Sequence, residues 1–344
     1  MAESPNRTLT LEAQCSCGLA SFAVDIPSSA IPLKSAICSC NSCRRATSQL
    51  FGTFVVVPGV PLPDVSELTS YKSSARLTRV FCPRCGCSVL NHEKDEWEFT
   101  GGVLEGPVDG ILDRQALFAD DSLDGGGYIW LPEKNGAGME IKFHGGHRDS
   151  EVVDIAAMRR SFAPKMPQEA DQNGRLHVSC HCGAFECSIT RPDPESPGPT
   201  PGHGKWWLSK DGRRFAAGLD ACRMCRKVTG YEIGAWAYIP AFNFTTPDGA
   251  PLNPATHPAL QHYDSSPSVH RDFCATCGSS IFFRKDSRSP QVWDIAVGLL
   301  HGSGARAEAW LEWNGLDFES SALDVGFASA IAEAMRDNKA KKQL

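Results

Sequence analysis

The same series of cysteines occurs twice in this chain, and no other feature of the sequence constrains its fold as strongly. Each series has a C-x-C-G motif, then a closely spaced triplet, then an F-C-x-x-C-G motif. The match extends beyond the cysteines, because Tyr71 aligns with Tyr263 and Trp97 with Trp293. A repeat of this length indicates two copies of one domain. The first series is Cys15, Cys17, Cys38, Cys40, Cys43, Cys82 and Cys85, and the second is Cys180, Cys182, Asp220, Cys222, Cys225, Cys274 and Cys277.

Composition narrows the class of protein. The chain has 344 residues, which is room for two ordinary cores, and its 42% hydrophobic and 22% charged residues are typical of globular proteins. A net charge of −6 argues against a nucleic-acid partner, which requires a basic excess. The N-terminus has no apolar stretch of the signal-peptide kind, and no run is long enough to span a bilayer. We therefore expect a cytoplasmic protein with no membrane partner.

The cysteine spacing favours zinc over disulfides. The chain has fifteen cysteines, an odd number, and shows no export signal. In each copy the C-x-C-G and C-x-x-C-G pairs can together supply four thiolates, the usual ligand set of a closed structural zinc site. Such a site contributes directly to folding. The predicted structural ligands are Cys15, Cys17, Cys82 and Cys85 in the first copy, and Cys180, Cys182, Cys274 and Cys277 in the second.

The central triplet of the first copy predicts a different kind of site. Cys38, Cys40 and Cys43 place three thiolates within six residues, and so short a segment does not easily supply a fourth ligand. A zinc ion with an open position is typical of catalysis. The alternative is that Cys87 or His92 closes the site. We favour the open site, because Cys87 has no cysteine counterpart in the second copy.

The second triplet is altered, since Asp220 stands in the position of Cys38. With Cys222 and Cys225 it could still bind zinc, but a carboxylate in place of one thiolate should weaken the site. The alternative is an empty pocket in which Asp220 acts as a turn or capping residue. Cys187 lies outside the series and is interpreted as a buried apolar residue.

Between the cysteine motifs the sequence predicts short strands. β-branched and aromatic runs bounded by glycine and proline indicate an antiparallel β core in each half. The strand segments are 21–24, 51–57, 88–90, 98–100, 231–239 and 280–283. A helix is predicted over 324–341, with Phe327, Ile331 and Met335 on one face, and a shorter one over 151–160. The pair His144 and His147 lies on a glycine-rich loop and is interpreted as surface rather than as a metal site.

Domain limits follow from the repeat and from proline-rich segments. We predict a first zinc domain over 8–150, a second over 174–320, and a helical extension over 321–344. The polar segment 161–174 contains two prolines and is the predicted linker. Segment 191–204 contains five prolines and three glycines and is predicted to be an exposed loop inserted into the second copy.

The complete cysteine series resembles the glutathione-dependent formaldehyde-activating enzyme family, which also includes centromere protein V. The resemblance covers most of both halves. It implies a mainly β chain made of two tandem β-tent zinc domains of layered antiparallel sheets. It also implies a structural zinc on the outer cysteine pairs and a catalytic zinc on Cys38, Cys40 and Cys43. Because Asp220 departs from the family pattern, a second active centre is not implied.

The activity that the resemblance implies is the addition of glutathione to formaldehyde, counted in reverse as a carbon–sulfur lyase. Glutathione or a thiol adduct is then the expected small-molecule partner, and Arg44 and Arg45 are the expected partners of its carboxylates. Two other hypotheses stay open. One is a relative recruited to a different tailoring or detoxification reaction, and the other is a zinc scaffold without catalysis.

Overall fold

A computed structural model describes residues 8–94, 96–106, 108, 110–161, 174–198, 204–302, 304–317 and 322–341. We call residues 8–161 the first half and residues 174–317 the second half. The strands of the first half are β1 Thr8–Gln14, β2 Ser21–Pro27, β3 Leu33–Cys38, β4 Gly52–Val56, β5 Thr69–Lys72, β6 Thr78–Phe81, β7 Ser88–Glu93, β8 Glu96–Thr100, β9 Leu112–Leu117 and β10 Lys142–Phe143. Those of the second half are β11 Leu176–Ser179, β12 Glu186–Ile189, β13 Phe215–Asp220, β14 Gly234–Pro240, β15 Phe244–Thr245, β16 Leu260–Ser266, β17 Val269–Cys274, β18 Ser280–Lys285, β19 Val292–Ala296 and β20 Leu311–Asp317. The α-helices are α1 Asn41–Thr47, α2 Ile155–Ser161, α3 Arg223–Thr229 and α4 Val325–Lys341.

The large sheets of the two halves share the order of seven strands, and that of the first half has β10 as an additional edge strand. The large sheet of the first half runs β10-β9-β3-β4-β8-β7-β6-β5, and that of the second runs β20-β13-β14-β19-β18-β17-β16. A small sheet accompanies each, built on the hairpins β1-β2 and β11-β12. The prediction of a mainly β chain is confirmed. Most neighbouring strands are antiparallel as expected, but three pairs are parallel, which the strand pattern did not indicate: β9 with β3, β10 with β9, and β20 with β13.

Alternating side chains explain why these segments form half-buried strands. In β1, Leu11 and Ala13 face the core while the neighbouring residues stay exposed, and β2 buries Val24 and Ile26 in the same way. The strand β14 is buried along almost its whole length, which fits its central place in the second large sheet. A bridge also joins each small sheet to the residue after a 3-10 turn, Ala13 with Leu104 in the first half and Val178 with Leu300 in the second.

The helix predictions were correct for the long C-terminal helix. In α4 the predicted face is buried, since Phe327, Ile331 and Met335 are each 5% exposed or less. Asp324 caps the helix, because its Oδ1 accepts a hydrogen bond from the backbone N–H of Phe327 at 2.7 Å. The helix α2 lies within the predicted segment 151–160 apart from its last residue. Among the described residues, no helix has the length and apolar composition needed to cross a membrane.

The helices α1 and α3 were not predicted, because seven residues within a cysteine motif are too few to show an amphipathic period. The predicted linker lies almost wholly outside the described residues, and so does the part of the proline-rich loop over 199–203.

The two halves meet through a reciprocal backbone contact. The helix α1 ends at Ser48 and α3 ends at Gly230, both in the left-handed conformation. The Ser48 carbonyl accepts a hydrogen bond from the N–H of Gly298, in a 3-10 turn of the second half, at 2.9 Å. The Gly230 carbonyl accepts from Gly102, in the equivalent turn of the first half, also at 2.9 Å. Each triplet helix is therefore held by the opposite half.

Aromatic rings reinforce the contact between the two halves. Phe81 and Phe273, which precede equivalent cysteines, pack edge to face with ring centroids 6.5 Å apart. A Cβ at Gly278 would lie 2.5 Å from the ring of Phe81, and one at Gly86 would lie even closer to the ring of Phe273. The glycine after each C-x-x-C motif thus leaves space for the other half, besides adopting a positive φ.

A buried ion network joins the halves to the C-terminal helix. Arg114 on β9 is 1% exposed and donates two hydrogen bonds to the carboxylate of Glu232, at 2.8 and 3.0 Å. It also donates to Asp324, the cap of α4, at 3.2 Å. Because all three side chains are buried, removing one of them would leave an uncompensated charge in the interior.

We expect Gly102→Ala to destabilise the protein through this interface. The new Cβ would lie 2.5 Å from the carbonyl carbon of Gly230 and 2.7 Å from the carbonyl oxygen of Arg226. Overpacking of this kind costs roughly 1–3 kcal/mol in the free energy of unfolding. Urea unfolding measures the loss. Gly204→Ala is the control, since its Cβ meets no atom within 4 Å. Equal unfolding midpoints for the two variants would contradict the reciprocal contact.

Candidate functional site

The first four-cysteine cluster forms between the start and the end of the cysteine series. The Sγ atoms of Cys15 and Cys17 lie 3.6 Å apart, and those of Cys17 and Cys82 lie 3.5 Å apart. Four sulfurs at about 2.3 Å from one zinc ion would be separated by about 3.8 Å, so the spacing fits a tetrahedral site. With Cys85, all four sulfurs lie within 4.8 Å of one another.

The second cluster repeats this geometry. The Sγ atoms of Cys180 and Cys182 are 3.5 Å apart, and those of Cys182 and Cys274 are 3.6 Å apart. Cys277 completes the group, and its sulfur lies 3.2 Å from the hydroxyl of Ser279. All fifteen cysteines are free thiols in the structure. Both groups of predicted structural ligands therefore meet in arrangements that could hold a metal ion.

The central triplet of the first half is assembled where β3 passes into α1. Cys38 ends the strand, Cys40 caps the helix, and Cys43 lies in its first turn, so one tight connection brings the three sulfurs within 4.8 Å of one another. The sulfur of Cys40 accepts a hydrogen bond from the N–H of Cys43 at 3.3 Å. Among the described residues, this group has three members. Cys87 is not one of them, since its thiol donates to the carbonyl of Ser88.

A buried arginine partners this triplet. Arg79 on β6 is 6% exposed, and its Nη2 donates to the sulfur of Cys43 at 3.4 Å. Hydrogen bonds from Cys38 and Cys40, followed by the charge of Arg79, hold the pKa of Cys43 well below its ordinary value. Three thiolates around a divalent ion carry a net charge of −1, which one guanidinium compensates. The donor set is therefore suited to zinc.

A cavity of about 310 Å³ opens beside the triplet. This volume is within the range of small-molecule sites. Cys38 and Cys43 form part of its wall, while the neighbouring strands supply apolar and polar side chains. The lining also includes Ala36, Phe54, Val56, Leu77, Arg79, Asn91, His92, Glu93, Glu96, Trp97, Glu98, Leu117, Phe118, His147 and Arg148. The cavity therefore gives access to Cys38 and Cys43, and the open site stays a prediction. His92, the other proposed closing ligand, lines the cavity but is not part of the sulfur group.

Glu98 on β8 is an acidic group in the wall of this cavity. Its Oε1 accepts a hydrogen bond from the amide of Asn91 on β7 at 2.9 Å. Burial raises the pKa of Glu98 to about 7, against the hydrogen bond from Asn91, which lowers it. The thiolate of Cys43 raises this pKa further, whereas Arg79 and Arg148 lower it.

The loop after β10 brings His147 and Arg148 to the cavity. His147 is exposed, so the interpretation of this histidine as a surface residue holds in part, but it lies at the mouth of the cavity. His144 is buried, and its Nδ1 lies 3.0 Å from the carbonyl of Ser150. The two histidines therefore do not act as a pair.

Arg44 and Arg45 lie elsewhere, which differs from the prediction for them. Both line a separate cavity of about 130 Å³ between the halves. Arg45 donates to the carbonyl of Leu299 at 3.1 Å, and Arg44 donates to the carbonyl of Ser39. Residues one and two positions after Cys43 on a helix are rotated by about 100° and 200° away from it, which turns these side chains from the open side of the triplet.

The triplet of the second half comes together as well. Asp220, Cys222 and Cys225 offer ligand atoms within 4.8 Å of one another. However, Oδ1 of Asp220 accepts a hydrogen bond from the N–H of Cys222 at 2.7 Å, which is the turn role proposed as the alternative. Arg271 is placed like Arg79, with its Nη2 4.0 Å from the sulfur of Cys225.

Larger side chains occupy the second half where the first has its cavity. Val56 pairs with Glu98 in the first sheet, and Tyr238 pairs with Asp294 in the second. Tyr238 therefore occupies the position of Val56. Phe283 likewise corresponds to Asn91, opposite the paired arginines Arg271 and Arg79. The ring of Phe283 lies under the Arg271 guanidinium, 4.3 Å from its centroid.

Asp294, the acid of the second half that corresponds to Glu98, has an arginine as its partner. Both carboxylate oxygens of Asp294 accept from Arg288, at 2.5 and 3.2 Å. The Arg288 guanidinium lies over the ring of Trp206, 5.1 Å from its centroid, and Trp206 packs against Tyr238. The acid that corresponds to Glu98 is thus held in an ion pair under aromatic rings.

The fold and these clusters define a mainly β protein with thiolate groups suited to metal ions. The chain matches the family described as glutathione-dependent formaldehyde-activating enzyme over residues 10–120 and 208–313. The match covers more than half of the chain and includes a segment of each half. The chain therefore belongs to this family, as a member with two matching regions. No curated protein and no solved structure matches the chain significantly.

Sequence reasoning missed the cavity residues Arg79, Asn91, Glu98 and Arg148. Part of the signal was present in the repeat. An arginine precedes the F-C-x-x-C-G motif by two positions in both copies, and an acidic residue follows the aligned tryptophan in both. Asn91 and Arg148 have no such signal, because they reach the cavity through strand pairing and a loop that one copy does not share with the other.

We expect the purified chain to retain three zinc ions, one for each group made only of cysteines. The group with Asp220 should bind a fourth ion weakly, because it has one thiolate fewer and its carboxylate is already engaged. Native mass spectrometry, before and after mild chelation, counts the ions. Two retained ions at neutral pH would show that the Cys38 triplet is not a zinc site.

Proposed function

We propose that the first half is a zinc-dependent carbon–sulfur lyase that acts on adducts of glutathione with an aldehyde, such as S-hydroxymethylglutathione. The observation that carries this proposal is the three-sulfur group opening onto a cavity of about 310 Å³. Membership of the formaldehyde-activating family supports the substrate class. A cytoplasmic location is part of the proposal, since glutathione is concentrated there.

The triplet would provide the binding site for the substrate's sulfur. Zinc held by Cys38, Cys40 and Cys43 would keep that sulfur as a thiolate, and the net charge of −1 makes it a poor Lewis acid towards a carbonyl oxygen. Arg79 compensates this charge and fixes the position of Cys43 through its hydrogen bond of 3.4 Å. The protein's own residues thus hold the reacting sulfur at the wall of the cavity.

The charged rim of the cavity suits the rest of glutathione. Arg148 can pair with one of its carboxylates, in the role first expected for Arg44 and Arg45. Glu93 and Glu96 lie on the same cavity and can attract its ammonium group. Burial of the apolar part of the ligand against Trp97 and Phe118 would add to its affinity.

The second half acts in this proposal as a stabilising partner. Its triplet lacks one thiolate, and Tyr238 and Phe283 stand where the first half has the smaller Val56 and Asn91. Its turn at Gly298 holds the end of α1, which carries Cys43. The domain limits of 8–150, 174–320 and 321–344 belong to the same proposal, supported by the equal strand order of the two halves.

We expect Cys38→Ser to abolish turnover and Asp220→Ala to leave it nearly intact. The first substitution removes a ligand from the open triplet, and the second changes only the half whose cavity is filled. NMR exchange between free formaldehyde and its glutathione adduct at equilibrium measures the rate above the spontaneous reaction. A dead Asp220→Ala variant with an active Cys38→Ser variant would place the active site in the second half.

We expect Arg148→Ala to raise KM for the glutathione adduct about tenfold with a smaller change in kcat. The reason is that a carboxylate partner distant from the reacting carbon binds the ground state and the transition state alike, and one exposed charge-assisted hydrogen bond is worth about 1.5 kcal/mol. The matched control is Arg213→Ala, an exposed arginine on a different cavity of the second half. An unchanged KM for Arg148→Ala would contradict this role of the loop after β10.

A further inference from the structure

We propose that Glu98 is the catalytic proton-transfer residue of the first half, accepting the hydroxyl proton of the hemithioacetal during cleavage and returning it during addition. This inference rests on the proposed function and adds a residue to it. Its basis is the position of Glu98 in the cavity wall with Cys38 and Cys43, together with its hydrogen bonding.

The carboxyl group has one partner and a free oxygen. Asn91 donates to Oε1 at 2.9 Å, and within the described part of the chain no hydrogen bond to Oε2 occurs. Glu98 is only partly buried, because it borders the cavity rather than the packed core. A ligand in the cavity can therefore reach Oε2 while Asn91 holds the carboxyl group in place.

The surroundings keep both protonation states of Glu98 accessible near neutral pH. Burial raises its pKa to about 7, and the thiolate of Cys43 acts in the same direction. Asn91, Arg79 and Arg148 oppose this shift. The other titratable groups facing the same cavity are His92, Glu93, Glu96 and His147. A pKa near the working pH is what efficient general acid–base catalysis requires.

The second half shows what the same position becomes when it is not used. Asp294 corresponds to Glu98 in strand register, but both its oxygens are paired with Arg288 and Tyr238 lies opposite it. An acid in a two-point ion pair beneath aromatic rings has no free oxygen for a substrate. The free carboxyl group of Glu98 is therefore a feature of the half with the open cavity.

Cleavage begins at the hydroxyl group of the hemithioacetal. Glu98, as a carboxylate, takes the proton from the hydroxyl of the hemithioacetal. The oxygen forms the second bond of the carbonyl, the carbon–sulfur bond breaks, and its electron pair stays on the sulfur as a thiolate beside the triplet. Glu98 then loses its proton to solvent. Addition is the reverse: the thiolate attacks the carbonyl carbon, and protonated Glu98 gives its proton to the oxygen.

The test compares Glu98→Gln with Asp294→Asn. Both changes turn an acid into its amide at equivalent positions. We expect Glu98→Gln to lower kcat for adduct cleavage about 100-fold or more, the usual contribution of a general base. Asp294→Asn should retain wild-type kcat. Formaldehyde release is measured with a trapping agent after subtraction of the spontaneous rate, and zinc content and melting temperature are determined for each variant.

A pH profile provides a readout that a purely structural role would not move. In the cleavage direction the reactive form is the carboxylate, so kcat/KM of the wild type should fall as the pH drops through about 7. The Glu98→Gln variant should not show this fall in kcat/KM at low pH. Asn91→Ala removes the hydrogen-bond donor that stabilises the carboxylate of Glu98, so the pKa of Glu98 should rise. The fall in kcat/KM of this variant should therefore begin at a higher pH.

The outcomes separate this inference from the proposed function. Wild-type protein without turnover above the spontaneous rate would overturn both. An active wild type with an equally active, zinc-loaded Glu98→Gln variant would overturn the role of Glu98 alone. If Glu98→Gln loses zinc or stability, the pH profile of kcat/KM for Asn91→Ala tests the role of Glu98 instead. A fall in kcat/KM that begins at higher pH than in the wild type supports the role of Glu98, and a fall at the same pH rejects it.

Discussion

The arrangement of this chain depends on the contact that each triplet helix makes with a glycine turn of the opposite half. The carbonyl of Ser48 accepts from Gly298, and that of Gly230 accepts from Gly102. Because α1 carries Cys43 and ends at Ser48, the position of the first triplet depends on residues of the second half. The second half therefore supports the first triplet through its turn at Gly298, which holds the helix that carries Cys43.

Paired strand positions explain how one scaffold gives two different sites. The two large sheets share their order, so Val56 and Tyr238 occupy equivalent places, as do Asn91 and Phe283. The second half thus has larger aromatic side chains at these positions, while the pairing of the strands is the same in both halves. The two copies therefore differ in the side chains at equivalent positions of the same strand register, and Asp220 is one change among several.

The cysteine clusters could be predicted from sequence because zinc ligand spacing is a local property. C-x-C-G and C-x-x-C-G each place two sulfurs on one turn, and the duplication showed which turns belong together. The cavity could not be predicted in this way. Its residues come from β6, β7, β8 and a distant loop, and only strand register brings Asn91 to Glu98. The placement of Arg44 and Arg45 on a different cavity could not be predicted for the same reason, since closeness to Cys43 in sequence does not place a helical residue on the same side.

Charge pairing distinguishes the two copies further. In the first half, the guanidinium of Arg79 is engaged with the sulfur of Cys43, which leaves Glu98 with an amide partner and a raised pKa. In the second half, Arg271 is further from its cysteine, and a separate arginine, Arg288, pairs with Asp294. Removing an acid from water without an ion-pair partner is costly for stability, and acids with shifted pKa values are concentrated at functional sites. Burial raises the pKa of Asp294 to about 6 even beside Arg288, so both halves keep a buried acid with a raised pKa. The halves differ in the partner of that acid, which is an arginine for Asp294 and an amide for Glu98.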